Sequence, residues 1–427
     1  MKPLEGIKVV DLTSYLAAPT TGRVLAEWGA DVVKVESFGG DPARRQAGVF
    51  NMPMADDENL AFDYANFGKK FMTLNLKSET GMDVMMKLLA EADVFLTSNR
   101  TKSLVKMGLD YETLHEKFPK LVYAQVTGYG DKGPEKDAAG FDVTCYMARG
   151  GVFGTTVNRG DAPLIPTNGL GDFSVSLFLA AGIAAALYGR TATGTGDRVS
   201  VPLQHAGLYT LSTGIISAQY GNAYPKNRRE VPNPFNNTYK TADDKWLYIC
   251  QPQHNRYYND MMKIIGRDDL VDDPRDATIE NVKANHLQPE LITILDEGFS
   301  KKDLEEWLKI LAEWDVPSQK VFRFTDILKD DEAYVNDAIR KVKYNAFGEH
   351  ALPTTPIRFG GYGDPPIILS KPIGYHTAEY LEQYGYTPEQ IAELEEKGAV
   401  KCYHGEEVPD TIFKSERQEK GEAPCNW

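Results

Sequence analysis

The sequence predicts an α/β fold: a large open-sheet domain built from both chain ends, with a smaller α+β domain inserted between them. Two observations carry this. Short β-rich runs alternate with amphipathic helical patterns through the first part of the chain, and a polar, Pro- and Asn-rich linker, NAYPKNRREVPNPFNN, then interrupts the alternation. Strands separated by helical patterns of this length imply βαβ units and a largely parallel sheet. The expected division is 1–222 with 335–427 for the large domain and 223–334 for the small one.

IKVVDL (Ile7–Leu12) is the first strand pattern, and TGRVLAEWG the helix after it. ADVVKVE (Ala30–Glu36) follows Gly29 as a buried-strand pattern. KFMTLNL leads to Ser78-Glu79, a helix start, and MDVMMKLLAEA then leads to DVFLT. LVYAQVTGYG closes the series with a strand ending in glycines. The loops Thr13–Ala18, Ser37–Asp41, Ser98–Lys102 and Gly128–Gly133 follow these strands, where an open α/β sheet gathers its ligand. No GxGxxG fingerprint and no P-loop accompany them.

GLGDFSVSLFLAAGIAAALYG places Asp172 at the head of a long apolar helix. Asp172 reads in two ways. It is an N-cap, accepting orphan amides at the positive helix end. Or it is a reactive carboxylate at a buried helix mouth, with Gly169 and Gly171 letting a substrate approach the backbone. These residues alone leave both open.

GTGDRVSVPLQHAGLYTLSTGIISAQYG then gives a turn, a strand and one long helix. In the inserted part, TYKTADDKWLYICQP reads as a hairpin turning at Asp243-Asp244. Leu304, Trp307, Leu308 and Leu311 recur at helical spacing as a core face. TAEYLEQYG and TPEQIAELEEKG are helical, and the polar end with Cys425 reads as a loose tail.

A formal charge of 47 − 61 = −14 argues against general nucleic-acid affinity. Cys145, Cys250, Cys402 and Cys425 form no CxxC pair, and the seven histidines show no HxxxH spacing, so no metal is expected. No signal-peptide pattern and no segment of membrane-spanning length is read, which gives a protein of a reducing cytoplasm as the expectation, with no membrane partner.

The ordered set LEGIKVVDLTSYLAAP, GADVVKVES…GDPAR, NFGKKFMTLNLKSETG, MGLDYETL, LVYAQVTGYG and GLGD resembles the class III (formyl-CoA transferase-like) CoA-transferases over nearly the whole chain. ARGGVFGT (Ala148–Thr155) and the PNPF…YK linker are most similar to the 2-hydroxyacyl and arylacrylyl enzymes of amino-acid-fermenting anaerobes. The resemblance makes Asp172 the nucleophile. The helix end is expected to keep it ionised, and the glycine spacing alone suggests amides near Gly169–Phe173 as oxyanion donors. It makes the larger domain a CoA-binding domain. Ser14, Leu16 and Ala17 fall beside the CoA and acyl group, Ser37 at the adenine end, and Leu74, Asn75, Asn99, Arg100 and Lys106 along the CoA. Arg100, Lys102 and Lys106 offer phosphates a local positive field. Leu16 and Phe141 stand where the formate-specific branch has glutamine and tyrosine, which implies a larger, more apolar acyl pocket.

The implied reaction moves CoA between an enoyl-CoA such as cinnamoyl-CoA and an (R)-2-hydroxy acid such as phenyllactate, with 2-hydroxyisocaproate the second choice. CoA is substrate, and no further cofactor is required. An interlocked homodimer is implied as well. Related racemases carry a histidine where this chain has Phe141, and His205 is expected to be a buried structural residue rather than a replacement base. A non-catalytic CoA-binding protein is the third alternative, in which Asp172 is only a cap.

Overall fold

The computed structural model describes residues 2–55, 58–415 and 419–421. Cys425 lies outside the described residues, and so does most of the expected loose tail beyond Ser415. The chain forms two compact units. One comprises Met1–Val152, Ile165–Ser212 and Asp331–Trp427, the other Phe153–Leu164 and Thr213–Asp330.

The first unit is built on β1 (Lys8–Leu12), α1 (Ala17–Glu27), β2 (Asp31–Glu36), α2 (Leu60–Asp63), β3 (Lys70–Thr73), α3 (Glu79–Glu91) and β4 (Val94–Thr97). It continues through α4 (Thr101–Met107), α5 (Tyr111–Lys117), β5 (Val122–Thr127), α6 (Leu170–Thr193), β6 (Arg198–Pro202) and α7 (Leu203–Thr210). The strands form one parallel sheet in the order β3-β2-β1-β4-β5-β6. Val9, Val10, Val32, Val33, Val94 and Phe95 are all buried, as a sheet covered on both faces requires. Ser78 caps α3 by accepting the Gly81 N–H at 3.1 Å.

The C-terminal part of the chain returns to the edge of this sheet. His376 Nδ1 accepts the Phe71 N–H at 3.0 Å, and Thr377 Oγ1 accepts the Thr73 N–H at 3.1 Å. Burial pushes the His376 imidazole down to about 3, so the ring stays neutral and serves as an acceptor.

No segment of membrane-spanning length is expected from the sequence, and here the structure corrects the expectation. α6 has 24 residues and is long and apolar enough to cross a bilayer. It packs instead on α1, β5 and β6. Val175, Leu179, Ile183 and Leu187 are buried on that side, while Phe178 and Tyr188 stay exposed.

The expected single helix after β6 is also interrupted. α7 ends at Thr210, and α8 (Ser212–Ala218) begins beyond Leu211. In the second unit β7 (Asn236–Lys240), β8 (Trp246–Cys250) and β9 (Ser318–Lys320) form an antiparallel sheet, with Asp244 in the left-handed conformation at the hairpin turn. Leu304, Trp307 and Leu311 are buried in its core.

Candidate active site

The strand order places β1 between β2 and β4, so the chain leaves β1 and β4 on opposite courses. This is the topological switch point where open α/β sheets bind ligands. The loops after the two strands are tied together there. The Ser14 N–H donates to Ser98 Oγ at 3.1 Å, and Asn99 Nδ2 reaches Leu12 O at 3.4 Å.

A cavity of about 350 Å³ opens over this point and takes in Ser14, Leu16, Ala17, Asn99, Arg100, Phe141 and Asp172. A second, of about 1020 Å³, takes in Ser37, Leu74, Asn75, Asn99 and Lys106. Asn99 and Ser103 line both, so the two form one track along the carboxyl ends of the strands. Lys102 lines neither cavity; its N–H faces Asp137 Oδ1 at 3.4 Å. The Asn75 side chain is committed to the fold, donating to Gly398 O at 3.0 Å, and Leu74 is buried.

The carboxylate that caps α6 is Asp142. Its Oδ2 accepts the Gly169 N–H and its Oδ1 the Gly171 N–H, each at 2.9 Å. Gly169 takes φ +79°, and a Cβ on Gly171 would stand 2.2 Å from Tyr146 Cγ and 2.4 Å from Asp142 Oδ1. Glycine at 171 is therefore a packing requirement of the carboxylate–helix contact rather than an opening for substrate. The two amides are spent on Asp142, and the Phe173 N–H on Gly169 O at 2.9 Å. Three of the amides expected as oxyanion donors, those of Gly169, Gly171 and Phe173, are thus already engaged.

Asp172 sits in the first turn of α6, and among the described residues nothing hydrogen-bonds to its carboxyl. Protein surrounds it on most sides. Burial, and then the Asp142 charge, push it up to about 7. The helix end expected to keep this carboxyl ionised is thus opposed by burial first and by the neighbouring Asp142 charge second. Asp142 itself is raised by burial, against the pull of the amides it accepts.

The loop between β1 and α1 turns through Tyr15, at φ +66°. A bulky residue there carries strain of about 1–3 kcal/mol, so the surroundings must hold it. The Tyr15 N–H donates to Asp41 Oδ1 at 3.2 Å, and Asp41 Oδ2 lies 2.9 Å from Lys34 Nζ. Lys34 Nζ also donates to Thr13 O at 2.9 Å, gripping the loop on both sides of Ser14. Burial alone would lower Lys34, but Asp41, Asp11 and Glu36 outweigh it and hold the ammonium above its ordinary value. Lys69 Nζ pairs with Asp11 Oδ2 at 2.8 Å beneath the same loop.

Tyr15, Ser103 and Lys136 line the cavities with no signal in the sequence, and so does Asp142, which the sequence offers only as the residue after Phe141 at the racemase position. Tyr15 betrays itself only by its backbone angle, and Asp142 only by its three-dimensional partners. His205 lies on α7 as expected from its segment, but it is exposed rather than buried and lines neither cavity.

The family model CoA-transferase family III matches residues 4–377. The chain is 45% identical over 393 residues to a cinnamoyl-CoA:phenyllactate CoA-transferase of Clostridium sporogenes, covering 91% of this chain and 95% of that protein. It is 39% identical to an (R)-2-hydroxy-4-methylpentanoate CoA-transferase of Clostridioides difficile, covering 93% of this chain and 99% of the relative. Among solved structures, a CAIB/BAIF family protein from Brucella suis superposes with a TM-score of 0.74 at 27% identity, over 90% of this chain and 99% of the other.

Proposed function

The chain belongs to CoA-transferase family III, and from that premise we propose that it moves CoA between an aryl or branched acyl-CoA and an (R)-2-hydroxy acid, with Asp172 as the covalent carrier. Cinnamoyl-CoA with (R)-phenyllactate is the preferred pair, supported by the relative at 45% identity. 2-Hydroxyisocaproate (2-hydroxy-4-methylpentanoate) is the second, supported by the relative at 39%. The observation that carries the assignment to Asp172 is its position, an uncapped carboxyl facing a cavity that runs on past Asn99 into a second one.

In this reading the Asp172 carboxylate attacks the thioester carbonyl, and the thiolate leaves with the C–S electron pair, giving a mixed anhydride. The thiolate attacks the aspartyl carbonyl, forming aspartyl-CoA and releasing the first acid. The incoming carboxylate attacks that thioester, and the same steps run in reverse. Each step exchanges one activated acyl bond for another, so the chemistry calls for no metal, ATP or redox cofactor. A carboxyl at about 7 is still substantially ionised near neutral pH, and its carboxylate is a stronger nucleophile than that of an ordinary aspartate.

Ser37, Leu74, Asn75 and Lys106 are assigned to the CoA end of the track, Asn99 and Arg100 to its middle, and Ser14, Leu16, Ala17 and Phe141 to the acyl end. A homodimer is part of the proposal. α6 leaves Phe178 and Tyr188 exposed, the latter at 81%, and on α7 Tyr209 is exposed beside Phe178 at 5.8 Å between rings. An apolar face of that kind suits a second copy of the chain. A reducing, cytoplasmic setting is supported by Cys145, Cys250 and Cys402, all free thiols.

The test is turnover of cinnamoyl-CoA with (R)-phenyllactate in deuterated buffer, followed by mass spectrometry. Phenyllactyl-CoA and cinnamate without deuterium at the α-carbon support transfer. Exchange of the α-hydrogen without transfer would replace it with racemase chemistry.

A further inference from the structure

We infer that Tyr15, turned out by its left-handed backbone against Phe141, selects the acyl group. The inference rests on the transferase reading of the Asp172 cavity and deepens it. Tyr15 is the one aromatic phenol side chain among the described non-glycine residues with positive φ; the others are Asn51, His286 and four aspartates, types that adopt this conformation readily. The Asp41–Lys34 pair holds it there through its N–H. Turned this way, its ring meets Phe141 edge to face, at 5.6 Å and 90°. Phe141 is half-exposed and immediately precedes Asp142, the cap of the helix that carries Asp172.

The ring pair therefore stands at the Asp172 end of the track, while Lys77 and Lys106 line the other end. Charged phosphates suit the lysines, and an apolar acyl tail suits the rings. An edge-to-face pair offers a third aromatic or branched group a ring face and a ring edge. Acetyl, with one methyl, gains little from either.

The test compares kcat/KM for cinnamoyl-CoA and acetyl-CoA, with one acceptor acid, in the full-length chain and in Tyr15→Gly and Tyr15→Phe. Glycine relieves the left-handed strain, so folding is not penalised. The cinnamoyl-to-acetyl ratio should fall about tenfold or more in Tyr15→Gly and stay within about twofold of wild type in Tyr15→Phe. The affinity for free CoA, read by calorimetry, should be unchanged in both. An unchanged ratio in Tyr15→Gly, or an equal loss for both donors, overturns the inference. Should the wild-type chain transfer CoA from neither donor, the transferase reading fails instead. Calorimetric binding of the two acyl-CoAs to wild type and Tyr15→Gly then decides the selection by itself, with the same tenfold criterion.

Discussion

Asp142 occupies the helix end that Asp172 would otherwise cap, and so leaves Asp172 as the acid without a partner. The two carboxyls stand at one helix end. Asp142 takes the amides and fixes the start of α6, and burial with the Asp142 charge pushes the unpartnered Asp172 up to about 7.

The first prediction is a pH profile. An attacking Asp172 must be ionised, and neither the acid nor the thioester group it meets titrates near neutrality; the phosphate monoester of CoA does, at about 6, so the profile is compared with that of Asp142→Asn. kcat/KM should rise about tenfold per pH unit below 7 and level off above it. Asp142→Asn removes a negative neighbour, so the inflection should move to lower pH. It should also lose about 1–3 kcal/mol of stability, because Asn can accept only one of the two amides well.

Asp172→Asn should keep the fold and lose turnover. Its stability effect has a definite sign. The native pKa lies above the unfolded value of 3.8, so ionisation favours the unfolded chain, and the penalty grows as pH rises from about 4 to 7. The variant should therefore exceed wild type by about 4 kcal/mol at pH 8 and match it near pH 4, read from denaturant midpoints.

Gly171→Ala adds one methyl where Tyr146 and Asp142 already stand. The carboxylate–amide contact must open to admit it. Loss of about 1–3 kcal/mol and a collapse of turnover are expected, from thermal unfolding and the transfer assay together.

Lys34→Met leaves Asp41 and Asp11 buried without this cation and frees the Thr13 carbonyl. Breaking one side of such a pair costs about 3–5 kcal/mol. Because Asp41 holds Tyr15, the variant should also lose discrimination between acyl donors, which a kinetic comparison would reveal in the fraction that remains folded.

Tyr188→Glu places a charge on the exposed apolar face of α6. Analytical ultracentrifugation should find a dimer for wild type, and because interlocked chains cannot part while folded, the variant should show a lower thermal midpoint rather than free folded monomer.

Much of this arrangement was legible in the sequence. β-Branched runs such as KVVDL and DVVKVE, bounded by glycine or polar residues, mark buried strands by composition alone. The ligand loops then follow from strand order. The role of Asp142 was not legible, because it depends on a contact with Gly169 and Gly171 that no local pattern encodes. Tyr15 was hidden for a related reason: its left-handed turn is imposed by Asp41 and Lys34 from other parts of the chain. The sequence marks α6 as a long apolar helix, and only its continuation to Thr193 carries it to membrane-spanning length.

The most direct measurement is the mass of Asp172 during turnover. Wild type and Asp172→Asn are mixed with cinnamoyl-CoA, treated with borohydride, digested and mapped. The account predicts a reduced residue at Asp172 in wild type, formed from the aspartyl thioester, and none in the variant. An unmodified Asp172 in a preparation that is turning over, or the label on any other residue, would contradict it.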